Sequence, residues 1–600
     1  MENLFNRDDG PPSIWIPGVV DQTSRFLPAN EVSGTLRFVN KATRNQFADK
    51  VTVLLSRPVR PQLFAQCWGR PGAFGALSLK QRRNFVCLVA ASGSVDNLRV
   101  ALDNAGLLPT TELLEAAAKA GQLEACELLR ERGCPWGNSL ASAAEGGHRH
   151  VCEWMLASGC PHVRAAVCAA ARGGHEGLML WLLDLVQQQG DPAAAHIDAE
   201  YLLEHVAAGL GLEALQRMHH QLLERPAHLQ QQEQEDEQQA EQEDEQQQAE
   251  QEDEQQQAEQ EDEQQQAEED VGWEQQVLAL LKHGWILAAA AGSPTPDWKA
   301  KVEWLEGLGY PRFGDASIRA ANIGPAGNAV GRLQWLHGRG YPMEEYAAKL
   351  AAENGDSAAL QFLLEQAGVL THDIDCMEVA WKGHLDILQY LHGRGKPLIN
   401  AMVARSAASG GHLHVVVWAV ETLGVTPDNT GDLLDRAATS GNIELMSWLR
   451  DRGWAWGHQA VVTAAFSGRM EALDWILAHG GHLPNNGSPF LNAARNGDLA
   501  MILRLRQLGC PRDPELLEYC IFHGVPVPIL RLLVELGCPV DDCANVAARV
   551  TSEMHPMMYR KALEEWLVEL LVLLMLQQQQ QQQQEWAPES PAAQLLRLSI

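Results

Sequence analysis

The sequence predicts an all-α fold, an α-solenoid built from stacked helix–turn–helix repeats. Three recurring features carry that prediction. The first is the signature Ala-Ala-x-x-Gly, at Ala117-Ala118…Gly121, Ala143-Ala144…Gly147, Ala170-Ala171…Gly174 and Ala207-Ala208…Gly211. It resumes at Ala288-Ala289…Gly292, Ala320-Ala321…Gly324, Ala351-Ala352…Gly355, Ala407-Ala408…Gly411, Ala437-Ala438…Gly441, Ala464-Ala465…Gly468 and Ala493-Ala494…Gly497. The second is a bulky residue seven positions after the Gly: Trp154, Trp181, Phe362, Tyr390, Trp448 and Trp475. The third is a Gly-Cys-Pro or Gly-Tyr-Pro stop, as in Gly133-Cys134-Pro135 and Gly340-Tyr341-Pro342. Self-similarity of this kind marks repeat architectures.

Each feature has a physical cause. Ala is the best helix former, and its small side chain lets neighbouring helices approach. The Gly ends the first helix by taking a positive φ. Seven residues make about two helical turns, so the bulky residue returns to one face of a second helix and is expected in the core. Gly followed by Pro stops that second helix. The recurring Cys is read as a small buried apolar residue. The His residues after Gly, such as His148, His175, His384 and His412, recur at one step without a partner carboxylate or Cys. They are expected to bond turn backbone rather than metal or substrate.

The pattern resembles the ankyrin repeat. Gly147-His148, Gly174-His175, Gly383-His384 and Gly411-His412 match that family's helix step, and Leu128-Leu129…Gly133-Cys134 its helix end. The family's Thr-Pro-Leu-His start is absent and the spacing is shorter, so tight turns are expected in place of β-hairpin fingers. The resemblance implies two ankyrin-like blocks, residues 85–228 and 272–576, the second closed by an apolar capping helix around Trp566 to Leu576. That run is too short to span a bilayer as a helix.

Between the blocks, residues 229–271 repeat Ala-Glu-Gln-Glu-Asp-Glu-Gln-Gln-Gln with Ala240, Ala249, Ala258 and Ala267 as markers. A nine-residue period alternates helix faces, so no apolar stripe forms, and no Lys or Arg offsets the acids. A solvated acidic insertion is expected there, and a poly-Gln tail at 577–600.

Residues 12–56 do not follow the repeat and read as two or three short helices, with Asn30 as a cap near Glu31 and a short strand over 51–56. This module resembles an F-box on Ile16-Pro17, Phe26-Leu27-Pro28, Val32 and Leu36-Arg37-Phe38-Val39. The resemblance implies docking onto a Skp-type adaptor of a cullin–RING ubiquitin ligase through Pro17, Leu27, Pro28, Val32, Leu36 and Val39.

The net charge of −31 is uneven: residues 231–270 hold 19 acidic and no basic side chains, leaving −12 for the rest. No basic stripe stands out, so nucleic acid and anionic membranes are not expected as partners. No P-loop, nucleophile elbow or zinc-type His/Cys spacing is present, so neither an enzyme nor a cofactor is expected. The N-terminus lacks a secretory pattern, and the 12 Cys fit reduced thiols in the cytoplasm or nucleus. The expected function is non-enzymatic binding of a protein partner by a monomer. The solenoid would be the substrate receptor of a ubiquitin ligase or, alternatively, a plain ankyrin scaffold. Trp136, Trp454 and Trp456, in inter-repeat turns, are the candidate contact residues.

Overall fold

In a computed structural model the protein is described at residues 17–24, 27, 29–34, 36–39, 41–50, 52–161, 163–188, 198–223, 283–370, 372–427, 431–513, 515–538, 565–566 and 568–569. Among these residues every regular element is a helix and there is no strand. The acidic insertion, the poly-Gln tail and most of the capping run lie outside the described residues. The chain divides into two compact units. Unit 1 holds Met1–Pro71, Arg83–Leu102 and Pro109–Thr426, and unit 2 holds Gly72–Arg82, Asp103–Leu108 and the chain from Pro427.

The N-terminal module has helices Pro17–Ser24, Ala29–Gly34 and Lys41–Gln46 with a 3₁₀ turn at Leu36–Phe38. Its small core is Val20, Val32 and Phe47, with Leu36 packed against it. Asn30 is not a cap. It lies inside its helix, donates to the carbonyls of Leu54, Arg57 and Pro58, and accepts from the Leu54 amide at 2.8 Å. The expected strand at 51–56 is absent: residues 52–58 form a turn held down by this amide.

Helix pairs then succeed one another from Leu79–Ala91 and Val95–Asn104 to Leu516–Phe522 and Val527–Glu535. The stack begins ahead of residue 85, because Val89-Ala90…Gly93 is a further copy of the signature. In the first helices two adjacent pairs of residues are buried, as Leu113, Leu114, Ala117 and Ala118 are; in helix Cys376–Lys382 the first pair is reduced to Cys376. The second helices bury residues such as Val151, Cys152 and Met155. The bulky residues expected in the core sit one position off this face. Only Phe362 is buried; Trp154, Trp181, Tyr390, Trp448 and Trp475 are half-buried. Arg149 lies 4.6 Å from the Trp181 ring and Arg452 3.8 Å from that of Trp448, covering the outer ring faces.

The repeats join through the carbonyl ends of their first helices. A helix leaves its last carbonyls without intrahelical partners. Here the next repeat supplies them. His148 Nε2 lies 3.1 Å from Lys119 O, and His384 Nε2 3.2 Å from Glu353 O. Asn496 donates to Phe466 O at 2.7 Å, and Ser293 to Ala208 O at 2.7 Å. Elsewhere a glycine lets backbone pack on backbone: a Cβ on Gly173 would stand 2.1 Å from Glu145 O, and one on Gly410 2.1 Å from Trp381 O. His148, His384 and His412 thus bond turn backbone, while the His175 ring stands against Gly147.

This contact fixes the register. In two repeats the joint follows the buried pairs Val206-Ala207 and Ala290-Ala291 rather than Ala207-Ala208 and Ala288-Ala289, although Ala288 and Ala289 are buried as well. Gly209 and Ser293, three residues past Val206 and Ala290, occupy the joining position. These two repeats flank residues 224–282, and they stack directly. Lys301, fully buried, donates to Ala207 O (2.8 Å), Leu210 O (2.6 Å) and Ser293 Oγ (2.9 Å). Asp297 accepts from the Leu212 amide at 2.7 Å, and His219 pairs with Tyr310 Oη at 2.8 Å. Burial pulls the Lys301 ammonium down to about 8. Arg332 repeats the device one step on, reaching Ala291 O and Ser293 O, each at 2.7 Å.

Unit 2 is held by a fully buried ion pair, Arg82 Nη2 to Asp498 Oδ2 at 2.5 Å. Arg82 also donates to Ala105 O at 2.9 Å, while Asp498 caps helix Leu499–Gln507 by accepting from the Met501 amide. Backbone bonds from Leu79 to Ser467 O and from Ala500 to Gly106 O run beside it.

Two measurements of urea unfolding test this account. Gly173→Ala forces the Cβ clash and is expected to cost about 1–3 kcal/mol. Gly177→Ala, in helix Glu176–Gln188 with nothing within 4 Å of its Cβ, should instead be neutral or stabilise by about 0.5–1 kcal/mol. Equal effects would mean that the joints are not close-packed. Asp498→Ala strands the Arg82 guanidinium in the core and is expected to cost about 3–5 kcal/mol.

Candidate functional site

Stacking uses one face of each first helix and leaves the other to solvent. Counted from the first residue of the buried pair, the open positions are five and one before it and two after. A step of three or four residues, then three, keeps these on one helical face. Every exposed aromatic side chain among the described residues lies at one of them. In unit 1 these are Tyr201, Trp285, Tyr346 and Trp381; in unit 2, Phe466, Tyr519 and Phe522. Their exposure runs from 43 % for Trp285 to 61 % for Phe522. Tyr201, Trp285 and Tyr346 share the position five before the pair. Second helices have no exposed aromatic among the described residues.

The same face of unit 1 carries ion pairs between neighbouring repeats and, for Glu204 and Arg319, across the repeat of residues 283–307. Glu145 takes Lys119 at 3.1 Å and Arg172 at 3.7 Å, Glu204 takes Arg319 at 2.6 Å, and Glu353 takes Lys382 at 3.7 Å. Basic and acidic groups therefore offset each other along it.

Where the first four repeats of helix Thr111–Lys119 onward meet, the face holds a cleft of about 340 Å³. Its lining includes Ser142, Ala165, Ala169, Glu145, Arg172, Tyr201 and His205. Tyr201 meets the His205 ring edge-on at 4.8 Å. His205 Nε2 is buried and has no hydrogen-bond partner. Burial, then the charges of Arg172 and Arg319, hold this imidazole down at about 4, so it is neutral at pH 7. Burial likewise raises the neighbouring Cys168 thiol to about 11, which keeps it unreactive. No group of three or more His, Cys, Asp or Glu among the described residues is placed to hold a metal ion. No helix there is long and apolar enough to cross a membrane.

The residues singled out from sequence lie elsewhere. Trp454 is 2 % exposed and belongs to the interior. Trp136 is wedged between Trp154 and the Arg130 guanidinium, 4.0 Å from the ring. Trp456 donates its indole N–H to His479 O at 3.0 Å and packs on Trp475. Packing thus occupies the ring faces that a partner would use. In the N-terminal module Val32 is buried, Leu36 is partly buried, and Leu27 and Val39 are exposed. Pro17 opens the first helix, and Pro28 lies outside the described residues. The exposed first-helix aromatics were missed because they do not recur in every repeat. An aromatic five residues before, or two after, an Ala pair is the signal that finds them.

Comparison with known proteins gives no family model and no curated protein that matches. Among solved structures the chain is similar to the pentatricopeptide repeat protein PPR10 from maize (13 % identity, 93 % of this chain and 86 % of that one, TM-score 0.24). It is also similar to PPR10 in complex with an 18-nt psaJ RNA element (14 %, 92 % and 89 %, TM-score 0.22). TM-scores this low do not reach a shared arrangement of helices. Four expectations are corrected. The solved structures matched are pentatricopeptide rather than ankyrin repeat proteins, and no ankyrin or F-box family model matches, so the ankyrin assignment falls. The substrate-receptor or scaffold role, the protein or Skp-type partner and the exclusion of nucleic acid are withdrawn with it. The cause is physical: Ala pairs, Gly stops and Leu-rich second helices serve any short helix-pair repeat. What stands is an all-α helical-repeat solenoid.

The His205 environment has a measurable consequence. The folded protein keeps His205 neutral down to about pH 4, whereas the unfolded chain takes up that proton near 6.5. Its contribution to stability is therefore complete above about pH 6.5 and is lost as pH falls toward 4. An NMR titration of the imidazole is expected to show a midpoint near 4; one near 6.5 would refute the buried, unpartnered placement.

Proposed function

We propose that the first-helix face of unit 1 binds single-stranded nucleic acid without catalysis, its aromatic side chains serving as platforms for unpaired bases. The observation that carries this reading is that, among the described residues of unit 1, exposed aromatics lie on that face alone: Tyr201, Trp285, Tyr346 and Trp381, at most one per repeat. Aromatic side chains left in water at repeat spacing cost solubility and add nothing to the stack. Every base has a π-face, and stacking on an aromatic side chain contributes about 1–3 kcal/mol per base. A duplex hides those faces, so a single strand is the form that fits.

The charge pattern supports the same reading and shapes it. The Lys and Arg groups on the face are already paired with Glu145, Glu204 and Glu353. Binding that releases few counterions depends weakly on salt. Affinity would come from stacking, with hydrogen bonds to base edges and sugar, rather than from phosphate neutralisation. RNA is the first probe to use, being what the matched PPR10 complex holds; DNA of the same sequence is the second arm.

Binding of a labelled uridine homopolymer to the full chain tests the proposal. Trp285→Ala, Tyr346→Ala and Trp381→Ala are each expected to weaken it by about 5- to 100-fold, from the stacking range above. Their thermal midpoints should stay unchanged, because the rings are not in the core. The slope of log K against log salt should be shallower than about −2. Unaltered binding in all three variants would sink the reading, as would a steep slope.

A further inference from the structure

The cleft in unit 1 has chemistry that the stacking platforms alone do not use. Its volume of about 340 Å³ is at the small end for ligand sites, which begin near 300 Å³. Ser142, Ala165 and Ala169 keep its floor low. Around that floor stand two carboxylates, one guanidinium, one exposed phenol ring and one imidazole: Glu115, Glu145, Arg172, Tyr201 and His205. Four successive first helices supply them, Thr111–Lys119, Ser139–Glu145, Val163–Arg172 and Ala199–Gly209. Glu115 is engaged locally, accepting from the Asn138 amide at 3.0 Å.

These groups discriminate among bases. A carboxylate accepts hydrogen bonds and donates none. Guanine alone presents two adjacent donors, N1–H and the N2 amino group, on its Watson–Crick edge. Adenine and cytosine place a lone pair beside their amino group, and uracil flanks its single N–H with two carbonyls; each of these meets a carboxylate with repulsion. Guanine also offers O6 and N7 acceptors to a guanidinium, the commonest specific contact of Arg with a base. Glu145 is engaged by Lys119 and more distantly by Arg172, and its two oxygens keep lone pairs to spare. His205 Nε2 is shut off from solvent and meets no ligand; the ring, edge-on to Tyr201 at 4.8 Å, reports on the site instead.

We infer that this cleft is a guanine-selective nucleotide subsite, with Glu145 taking the N1–H and N2 amino group, Arg172 facing O6 and N7, and Tyr201 stacking on the base. The inference rests on the single-strand reading above and deepens it by naming a base.

Calorimetric titration of the full chain with GMP, AMP, IMP and dGMP tests it, with His205 imidazole NMR signals marking the site. GMP is expected to bind saturably and move those signals. AMP should bind at least about tenfold more weakly, since one bidentate base contact discriminates by about that factor. IMP, lacking the N2 amino group, should fall between, and dGMP, which keeps the whole base edge, should bind as GMP does. Glu145→Gln is expected to erase the preference for GMP over AMP. Ser142→Leu, which fills the floor, should abolish mononucleotide binding; thermal midpoints report whether both variants are folded. Equal affinity for GMP and AMP, or none for either, overturns the subsite. The homopolymer experiment separates the two readings: if uridine homopolymer binds while GMP is not preferred, only the subsite fails. If GMP binds selectively and no homopolymer does, the extended surface fails and the subsite stands.

Discussion

The stack depends on what happens to a handful of backbone carbonyls. Each first helix ends with acceptors that its own repeat cannot satisfy, and an unsatisfied buried carbonyl costs about 1–3 kcal/mol. The next repeat closes them in one of three ways. It bonds them with an imidazole or amide, as His148, His384 and Asn496 do. It presses a glycine backbone onto them, as Gly173 and Gly410 do. Or it drives a buried cation under them, as Lys301 and Arg332 do. These solutions exchange freely between repeats because they meet one requirement. They also explain why the helix-ending glycine cannot be replaced at Gly147, where φ is 79° and a Cβ would meet the His175 ring at 2.4 Å.

The cationic solution occurs where the chain is interrupted. On either side of residues 224–282 the joining repeats lack the usual terminal glycine, with Leu210 and Pro294 in its place. Lys301 and Ser293 then bridge what chain continuity would otherwise have brought together. A buried ammonium alone would be expensive. Three acceptors compensate it, and the apolar walls that lower it to about 8 also shield those bonds from water. The repeats on either side of residues 224–282 thus stack without a break.

Much of the fold was legible because its causes are local. Ala pairs, Gly stops and Leu-rich second helices are set within about thirty residues, and they recur. The register slipped at Val206 and Ala290 because runs of Ala there permit several readings, and only the neighbour's carbonyl chooses among them. The Arg82–Asp498 pair, 416 residues apart, has no local signal at all. The family resemblances failed for the opposite reason. Their motifs are the minimum that packing a helix pair demands, so they were present without being diagnostic. The candidate surface is illegible for a third reason: its aromatics do not recur in every repeat, whereas the aromatics that stand out in the turns, Trp136, Trp454 and Trp456, are engaged by their own neighbours.

A first helix in this stack obeys two unrelated constraints. Its buried pairs must be small or aliphatic, whatever the protein does, because backbone contact sets the distance to the neighbour. Its open positions touch no neighbour's core, so a residue there can change without altering the stack. Tyr201, Trp285 and Tyr346 share one such position with Asp315 and Glu112. Binding specificity in an array of this kind therefore resides where periodicity breaks. The regular part of the sequence encodes the scaffold, and the irregular residues on its open face carry the information about the ligand.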